Sequence, residues 1–323
     1  MTAPEIGYIA RRILSLMPVW LGISLLAFSL ANLAPGDPAQ LILLRQTGEL
    51  PTEEAVQRLR EQLGLDDPFP VRYARWLADA AQGDLGTSYR TGEPVLWALV
   101  ERFPATLQLA VAALLIGLSI GIPLGVLSAV RRDSGLDHAS RVGVLLGASI
   151  PNFWLGYLFI LLFAVALGWL PVAGAGSWQH LVLPALTLGV GGAASLTRLT
   201  RSTVLEELQA DYVRTARAKG LAERAVVMRH ALRNALNPIV TLTGMRFGGL
   251  LAGAVVVETV FAWPGIGKFL VDAIYDRDYP TIQGFVLFTG TVFVLLNLLV
   301  DLGYAWLDPR VRLTGGEGRR GGR

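Results

Sequence analysis

Six stretches of this chain are apolar over about 20 residues, the length that crosses a bilayer as a helix. They fall at roughly 12–33, 105–130, 142–168, 182–199, 236–259 and 282–306. The fourth contains LPALTLGVGGAASL, whose small side chains would let a neighbouring helix approach closely. Between these stretches the pattern turns polar. The pattern predicts an all-α, polytopic membrane fold: an amino end and first helix over 1–34, a polar segment over 35–104, five further helices over 105–312 and a disordered tail over 313–323.

The polar segment opens with Pro35-Gly36-Asp37-Pro38, a turn that ends the first span. Thr52 to Leu63 reads as a helix with Thr52 as cap and Glu53 and Glu54 in its first turn. Val71 to Ala81 is a second short helix. Pro151 and Asn152 mark a kink in the third span. Gly265-Ile266-Gly267-Lys268, after Trp263-Pro264, reads as a turn; it lacks the upstream Gly and the Ser/Thr of a phosphate loop.

The most distinctive polar stretch is Asp211 to Pro238, DYVRTARAKGLAERAVVMRHALRNALNP, between the fourth and fifth spans. It carries Arg214, Arg217, Lys219, Arg224, Arg229 and Arg233. Around Gly220 it reads as two helices. Leu205, Leu208, Tyr212 and Thr215 share helical spacing in the first. Leu221, Ala225, Met228, Leu232 and Ala235 form one stripe of the second, with Arg224 and Arg229 off it. Gly220 takes the left-handed position that ends the first helix, and Glu223 lies in the first turn of the next, at its positive dipole end. Three readings fit such a corner: an amphipathic loop on anionic lipid, a helix-turn-helix on nucleic acid, or a docking element for a soluble subunit. Spans at both ends argue against nucleic acid.

Lys and Arg in the short loops set orientation. The amino end has Arg11 and Arg12, the link after the second span Arg131, Arg132 and Arg141, and the tail Arg310, Arg312, Arg319, Arg320 and Arg323. Trp169 to Leu181 has neither, and Trp263 to Thr281 only Lys268 and Arg277. Both termini and the basic corner are therefore expected in the cytoplasm, with 35–104 outside. A cleavable signal in the first span is the alternative, since Ser29 and Ala31 make a weak cleavage pattern.

Composition agrees with a membrane protein: 53% of residues are apolar and 16% charged. No cysteine is present, which excludes disulfides and thiolate chemistry, and His138, His180 and His230 lie too far apart in sequence to suggest a metal cluster. No catalytic constellation is visible, so neither catalytic residues nor cofactors are expected.

The basic corner resembles the cytoplasmic "EAA" loop of ABC importer permeases. Arg214-Thr215-Ala216 fills the Glu-Ala-Ala slots and Gly220 the final Gly; Ala216 to Gly220 matches the A-R-A-K-G typical of the dipeptide/oligopeptide/nickel branch. The pattern's later Leu-Pro falls on Leu232-Arg233. Other stretches resemble that branch in order, including Gly83-Asp84-Leu85-Gly86-Thr87-Ser88, Ser149-Ile150-Pro151-Asn152-Phe153-Trp154, Glu258-Thr259-Val260-Phe261 and Arg277-Asp278-Tyr279-Pro280.

The resemblance implies a permease subunit with six transmembrane helices in the bacterial inner membrane. Its partners would be a second permease subunit, two ABC ATPases and an extracytoplasmic substrate-binding protein. Loop 200–236 would couple to an ATPase through Asp211, Tyr212, Arg214, Ala216, Arg217, Ala218, Lys219, Gly220, Leu221, Glu223 and Arg224. Di- or oligopeptides would be the cargo, with nickel chelates, glutathione or oligosaccharides as alternatives. Arg246, inside the fifth span, and Asn152 are candidates for the substrate path; an intramembrane charge is a functional suspect by default. Arg246 could equally pair with a partner carboxylate or snorkel. Asn297 and Asp301 share a face at i, i+4 and read as helix packing, and Glu258 as a structural contact. An ion-coupled secondary transporter is the rival, though the spans are nearly free of the ion-relay residues it would bury.

Overall fold

The computed structural model describes residues 3–33 and 36–307 and, within them, every side chain except those of residues 3–16, 31, 45, 46, 148, 245, 246, 252 and 299–307. The tail over 313–323 and its arginines lie outside the described residues, as do the side chains of Arg11, Arg12, Arg246 and Asp301. Among the described residues the regular structure is helical, apart from a single isolated bridge between Thr87 and Pro94. In chain order they form α1 (Ala3–Leu33), α2 (Pro38–Thr47), α3 (Glu53–Gln62), α4 (Phe69–Ala81), α5 (Val95–Val130), α6 (Gly135–Ser149), α7 (Asn152–Phe159), α8 (Trp178–Gln209), α9 (Asp211–Ala218), α10 (Glu223–Ala225), α11 (Leu232–Val260), α12 (Ile266–Tyr275) and α13 (Tyr279–Leu307). A π-helical stretch, Ile160–Ala166, extends α7, and another, Val226–Ala231, joins α10 to α11.

Helices α5 and α8 and the Tyr279–Leu298 part of α13 are each long and apolar enough to cross a membrane. Two bent pairs, Gly135–Gly147 with Asn152–Ala166 at 106° and Glu223–Leu251 with Gly253–Val260 at 51°, bring the number to five if each is one span. Met17–Leu30 of α1 is a shorter apolar run. The chain is thus a multi-pass, all-helical membrane protein; a count of six takes α1 as a span as well.

Two helices were not expected from the sequence. Pro35-Gly36-Asp37-Pro38 does more than end α1: Asp37 caps α2 by accepting from the Ala39 amide at 3.0 Å, and Pro38 stands in the first turn, where its missing N–H costs nothing. The run after Trp263-Pro264-Gly265 likewise continues into α12 rather than stopping as a turn.

The chain divides into two compact units, residues 1–102 with 269–323, and residues 103–268. In the first, α1 pairs with α13: the Trp20 indole donates to Thr291 Oγ1 at 2.9 Å, and Gly290 leaves room for Ile23. Phe28 of α1 meets Phe69, Tyr73 and Trp76 of α4 with ring centroids 5.3–5.6 Å apart, aromatic packing that gathers the polar segment against α1. Arg60 ties Asp37 (2.8 Å) to Asp66 (2.6 Å). Asp278 accepts from Ser88 Oγ at 2.5 Å, the Tyr89 amide at 3.0 Å and Thr281 Oγ1 at 2.8 Å.

In the second unit a glycine stripe, Gly117, Gly121 and Gly125 of α5, lies against α8. A Cβ on Gly121 would stand 2.6 Å from Leu196 Cβ, and one on Gly125 2.5 Å from Thr200 Cβ. Both are closer than side chains tolerate, so the two backbones meet as small-residue membrane helices do. The apolar core beside this crossing includes Leu109, Leu183, Leu188, Val257 and Phe261. Glu258 is fully buried but satisfied: Oε1 accepts from Thr106 Oγ1 at 2.6 Å, and Oε2 from the amides of Gly267 (2.7 Å) and Lys268 (3.0 Å) at the start of α12. That carboxylate fills the space where Gly265 and Gly267 carry no side chain, which gives Glu258 the structural contact its position implied.

Candidate functional site

Two features of the second unit stand out, a corner built from α8 to α11 and a cavity lined by α5, α6, α7, α8 and α11. The corner starts at Ala210, whose extended backbone (ψ 149°) breaks the helix that sequence periodicity ran from Leu205 through Thr215. Asp211 then sits in the first turn of α9 and is fully open to solvent, with Arg214 at 3.5 Å. The break turns α9 over: Val213 and Ala216 face inward against Val226 and Leu208, while Tyr212 and Thr215 are exposed.

Gly220 has φ +78° and ends α9, the left-handed conformation a side chain disfavours. A Cβ there would meet no neighbouring atom, so the requirement is one of backbone conformation, not space. Arg217 spans the corner: Nη2 donates to Glu223 Oε1 at 2.7 Å and Nε to Oε2 at 3.1 Å. Burial and the hydrogen bond to Glu207 both raise the Tyr212 hydroxyl above its ordinary range, so it stays neutral; it also accepts from Asn234 at 2.9 Å, which ties α9 to α11.

The π-helical stretch Val226–Ala231 corrects the expected stripe. Each π turn adds a residue to the α repeat, so the inward positions slip along the sequence. Val226, Val227, Ala231, Leu232 and Ala235 are buried, while Leu221 is 43% and Met228 51% exposed. Ala218, Lys219, Arg224 and Arg229 are exposed as well. The outer surface of the corner therefore combines apolar and cationic groups, and Ala216, 5% exposed, acts on it only through packing.

An ion pair with a buried carboxylate and a half-buried arginine braces the same arm about two turns before α8 ends. Arg201 donates from Nε to Asp137 Oδ1 and from Nη2 to Oδ2, both at 2.7 Å. Ser128 of α5 donates to the same carboxylate, and the Asp133 amide reaches it at 3.0 Å. Asp137 is fully buried, with every lone-pair direction used. Three helices, α5, α6 and α8, converge on that group. The pairing joins residues far apart in the chain; the one local signal was Ser134, which caps α6 and accepts from the Asp137 amide.

The cavity holds about 590 Å³. Its lining includes Gly117, Gly191, Gly192, Gly249 and Gly253, with Asn152, Ser195 and Thr243 as polar groups. Asn152 is the first residue of α7, just past the break at Pro151, which makes the expected kink a full change of direction. Its Oδ1 would lie 3.3 Å from a Cβ on Gly191, so α8 is close to it. The cavity and the corner share α8 and α11 but no residue.

Residues 121–313 match the family described as binding-protein-dependent transport system inner membrane component, and residues 6–110 match its membrane-component N-terminal family. The dipeptide transport system permease protein DppB of Alkalihalophilus pseudofirmus is 40% identical, with 95% of this chain and 99% of that protein covered. The glutathione transport system permease protein GsiC of Salmonella paratyphi A is 43% identical at the same coverage. Among solved structures, a chain of the inward-facing MetNI methionine ABC transporter aligns with a TM-score of 0.56 at 24% identity, over 67% of this chain and 99% of its own, a likeness of fold. The chain belongs to the binding-protein-dependent transport system inner membrane component family, as an ABC importer permease of the dipeptide/oligopeptide branch.

Proposed function

We propose that this permease imports peptides handed over by an extracytoplasmic binding protein, paired with a second permease subunit and driven by two separate ATPases. The corner from α9 to α11 is the element that enters an ATPase groove. The observation that carries this is its two-sided construction. Val213, Ala216 and Val226 hold it from behind, while Tyr212, Leu221 and Met228 present apolar surface beside Arg214, Lys219 and Arg224. Screened charges of that kind steer a partner, and the apolar groups supply contact. Asp211, Ala218, Gly220 and Glu223 complete the element, with Arg217 positioning it. Closure of the ATPases then moves the spans as rigid bodies.

The cavity is the half-path contributed by this subunit. Glycine backbone, Asn152, Ser195 and Thr243 offer neutral donors and acceptors, the complement of peptide groups, and the two relatives are named for a dipeptide and for glutathione. From its place in the sequence of the fifth span, Arg246 is the candidate for a terminal carboxylate. Loop charge sets both termini and the corner in the cytoplasm and residues 35–104 outside, in the bacterial inner membrane.

The test is Gly220→Val in the complete transporter reconstituted in liposomes. A side chain at φ +78° costs about 1–2 kcal/mol in a corner that has no clash to relieve. Peptide uptake is expected to fall about tenfold or more while the complex assembles and basal ATP hydrolysis persists. Uptake at the unmodified level would remove the coupling role. Cross-linkers at Ala218 and Glu223 should capture the ATPase, not lipid alone.

A further inference from the structure

The unit formed by residues 1–102 and 269–323 has a pocket of its own, about 200 Å³, between the end of α1, α4, Tyr89 and the start of α13. None of its lining residues belongs to the larger cavity. Four hydrogen-bonding groups line it without a hydrogen-bonding partner among the described residues. Gln283 is only 9% exposed, and neither end of its amide is bonded. The Trp76 Nε1–H is buried and unpaired. Arg72 has no carboxylate within ion-pair distance, and its guanidinium lies over the Phe28 ring at 6.0 Å, whereas its neighbour Arg75 is taken by Asp67 at 2.9 Å. The Tyr89 hydroxyl is the fourth; burial, with the Asp278 carboxylate adding to it, pushes that group up to about 12, so it remains a neutral donor.

Buried polar groups are rarely left unmatched, and here the buried Trp76 N–H and Gln283 share one pocket with the half-buried Arg72 and Tyr89. The indole only donates, the guanidinium only donates, and the phenol and amide can do so. The missing complement is an acceptor with several lone pairs and one negative charge. A carboxylate supplies four lone-pair directions and matches the planar guanidinium fork. A phosphate dianion fits less well, because Arg72 is the single cation left over and Asp79 stands exposed at the rim. Phe28, Leu63 and Leu65 give the remaining wall an apolar character suited to a short hydrocarbon stem. The volume matches a molecule of amino-acid size, or about six or seven waters.

We propose that this pocket is a binding site for a small monocarboxylate on a short apolar stem, separate from the cargo path, with Arg72 taking the carboxylate and Trp76, Tyr89 and Gln283 completing its hydrogen bonds. The full chain, purified with its companion subunits in lipid nanodiscs, is titrated with 3-methylbutanoate and separately with 3-methylbutanol, and binding is followed by calorimetry and ligand-observed NMR. Saturable binding of the acid but not the alcohol is expected, weakened about tenfold or more by Arg72→Gln. Gln283→Leu should also weaken it and serves if the arginine variant fails to accumulate. Three results would overturn the site: no saturable binding at millimolar acid, equal binding of the alcohol, or affinity unchanged in a variant that accumulates normally. The first of these leaves a water-filled pocket.

Discussion

Two ion pairs support the arm from α8 to α11, and they are built in opposite ways. Asp137 is wholly withdrawn from solvent, held by both arms of Arg201 and by Ser128 and the Asp133 amide. Arg217 and Glu223 meet at the same 2.7 Å, yet their side chains are 42% and 55% exposed. Distance alone would rank them equal. Solvent separates them: water and salt screen the outer pair, while in the inner one Arg201 is 22% exposed and Asp137 cannot lose it without being left buried and unpaired. The arm is thus anchored at α8 by a pair that is costly to break. At its tip the corner is shaped by the backbone of Gly220 and the small cluster of Val213, Ala216 and Val226.

The contrast can be broken at its strong end first. Asp137→Ala leaves Arg201 without its carboxylate, and the detergent-solubilised complex should melt about 5 °C or more lower. Adding Arg201→Ala should cost less than the sum of the two single changes, because the second substitution removes the stranded charge. Simple additivity would mean the pair does not brace the arm. Next comes Gly121→Leu, which drives a side chain into Leu196 and the Ala193 carbonyl; overpacking of that order costs about 1–3 kcal/mol. Lower yield and melting temperature should follow, whereas Gly143→Leu, with open space around it, serves as the matched control. Arg217→Ala is the smallest, about 0–1 kcal/mol in stability by thermal melting. A loss approaching that of Asp137→Ala would show that the outer pair is not screened as its exposure implies.

Much of this architecture was written locally and could be read. Thr52 does cap α3, accepting from the Ala55 amide, and Gly220 does take the left-handed turn. Pro151 does interrupt the third apolar stretch, and the small residues of the fourth do admit a neighbour at close range. In each case the signal and the structure lie within a few residues of one another. What escaped depended on partners elsewhere or on a change of helical period. The break at Ala210 carries no Gly or Pro to announce it. The π-helical stretch made Met228 look like a core position and hid Val226 and Val227, and Leu221 lies before the helix begins at Glu223. Asp137 and Arg201 are joined only by the fold, and Gln283 and Trp76 reveal their unmet bonds only once α4 and α13 are both gathered beside α1 around one pocket.

The π-helical stretch also sets a phase. Every residue added or removed between Ala225 and Leu232 swings the rest of α11 by about 100° relative to the corner. Thr243, Gly249 and Gly253 face the cavity because that offset is what it is. The surplus residue therefore works as an angular shim between the corner and the cavity wall, and a one-residue deletion at Met228 would bring Gly244, Leu250 and Ala254 to the places of Thr243, Gly249 and Gly253 without touching either end.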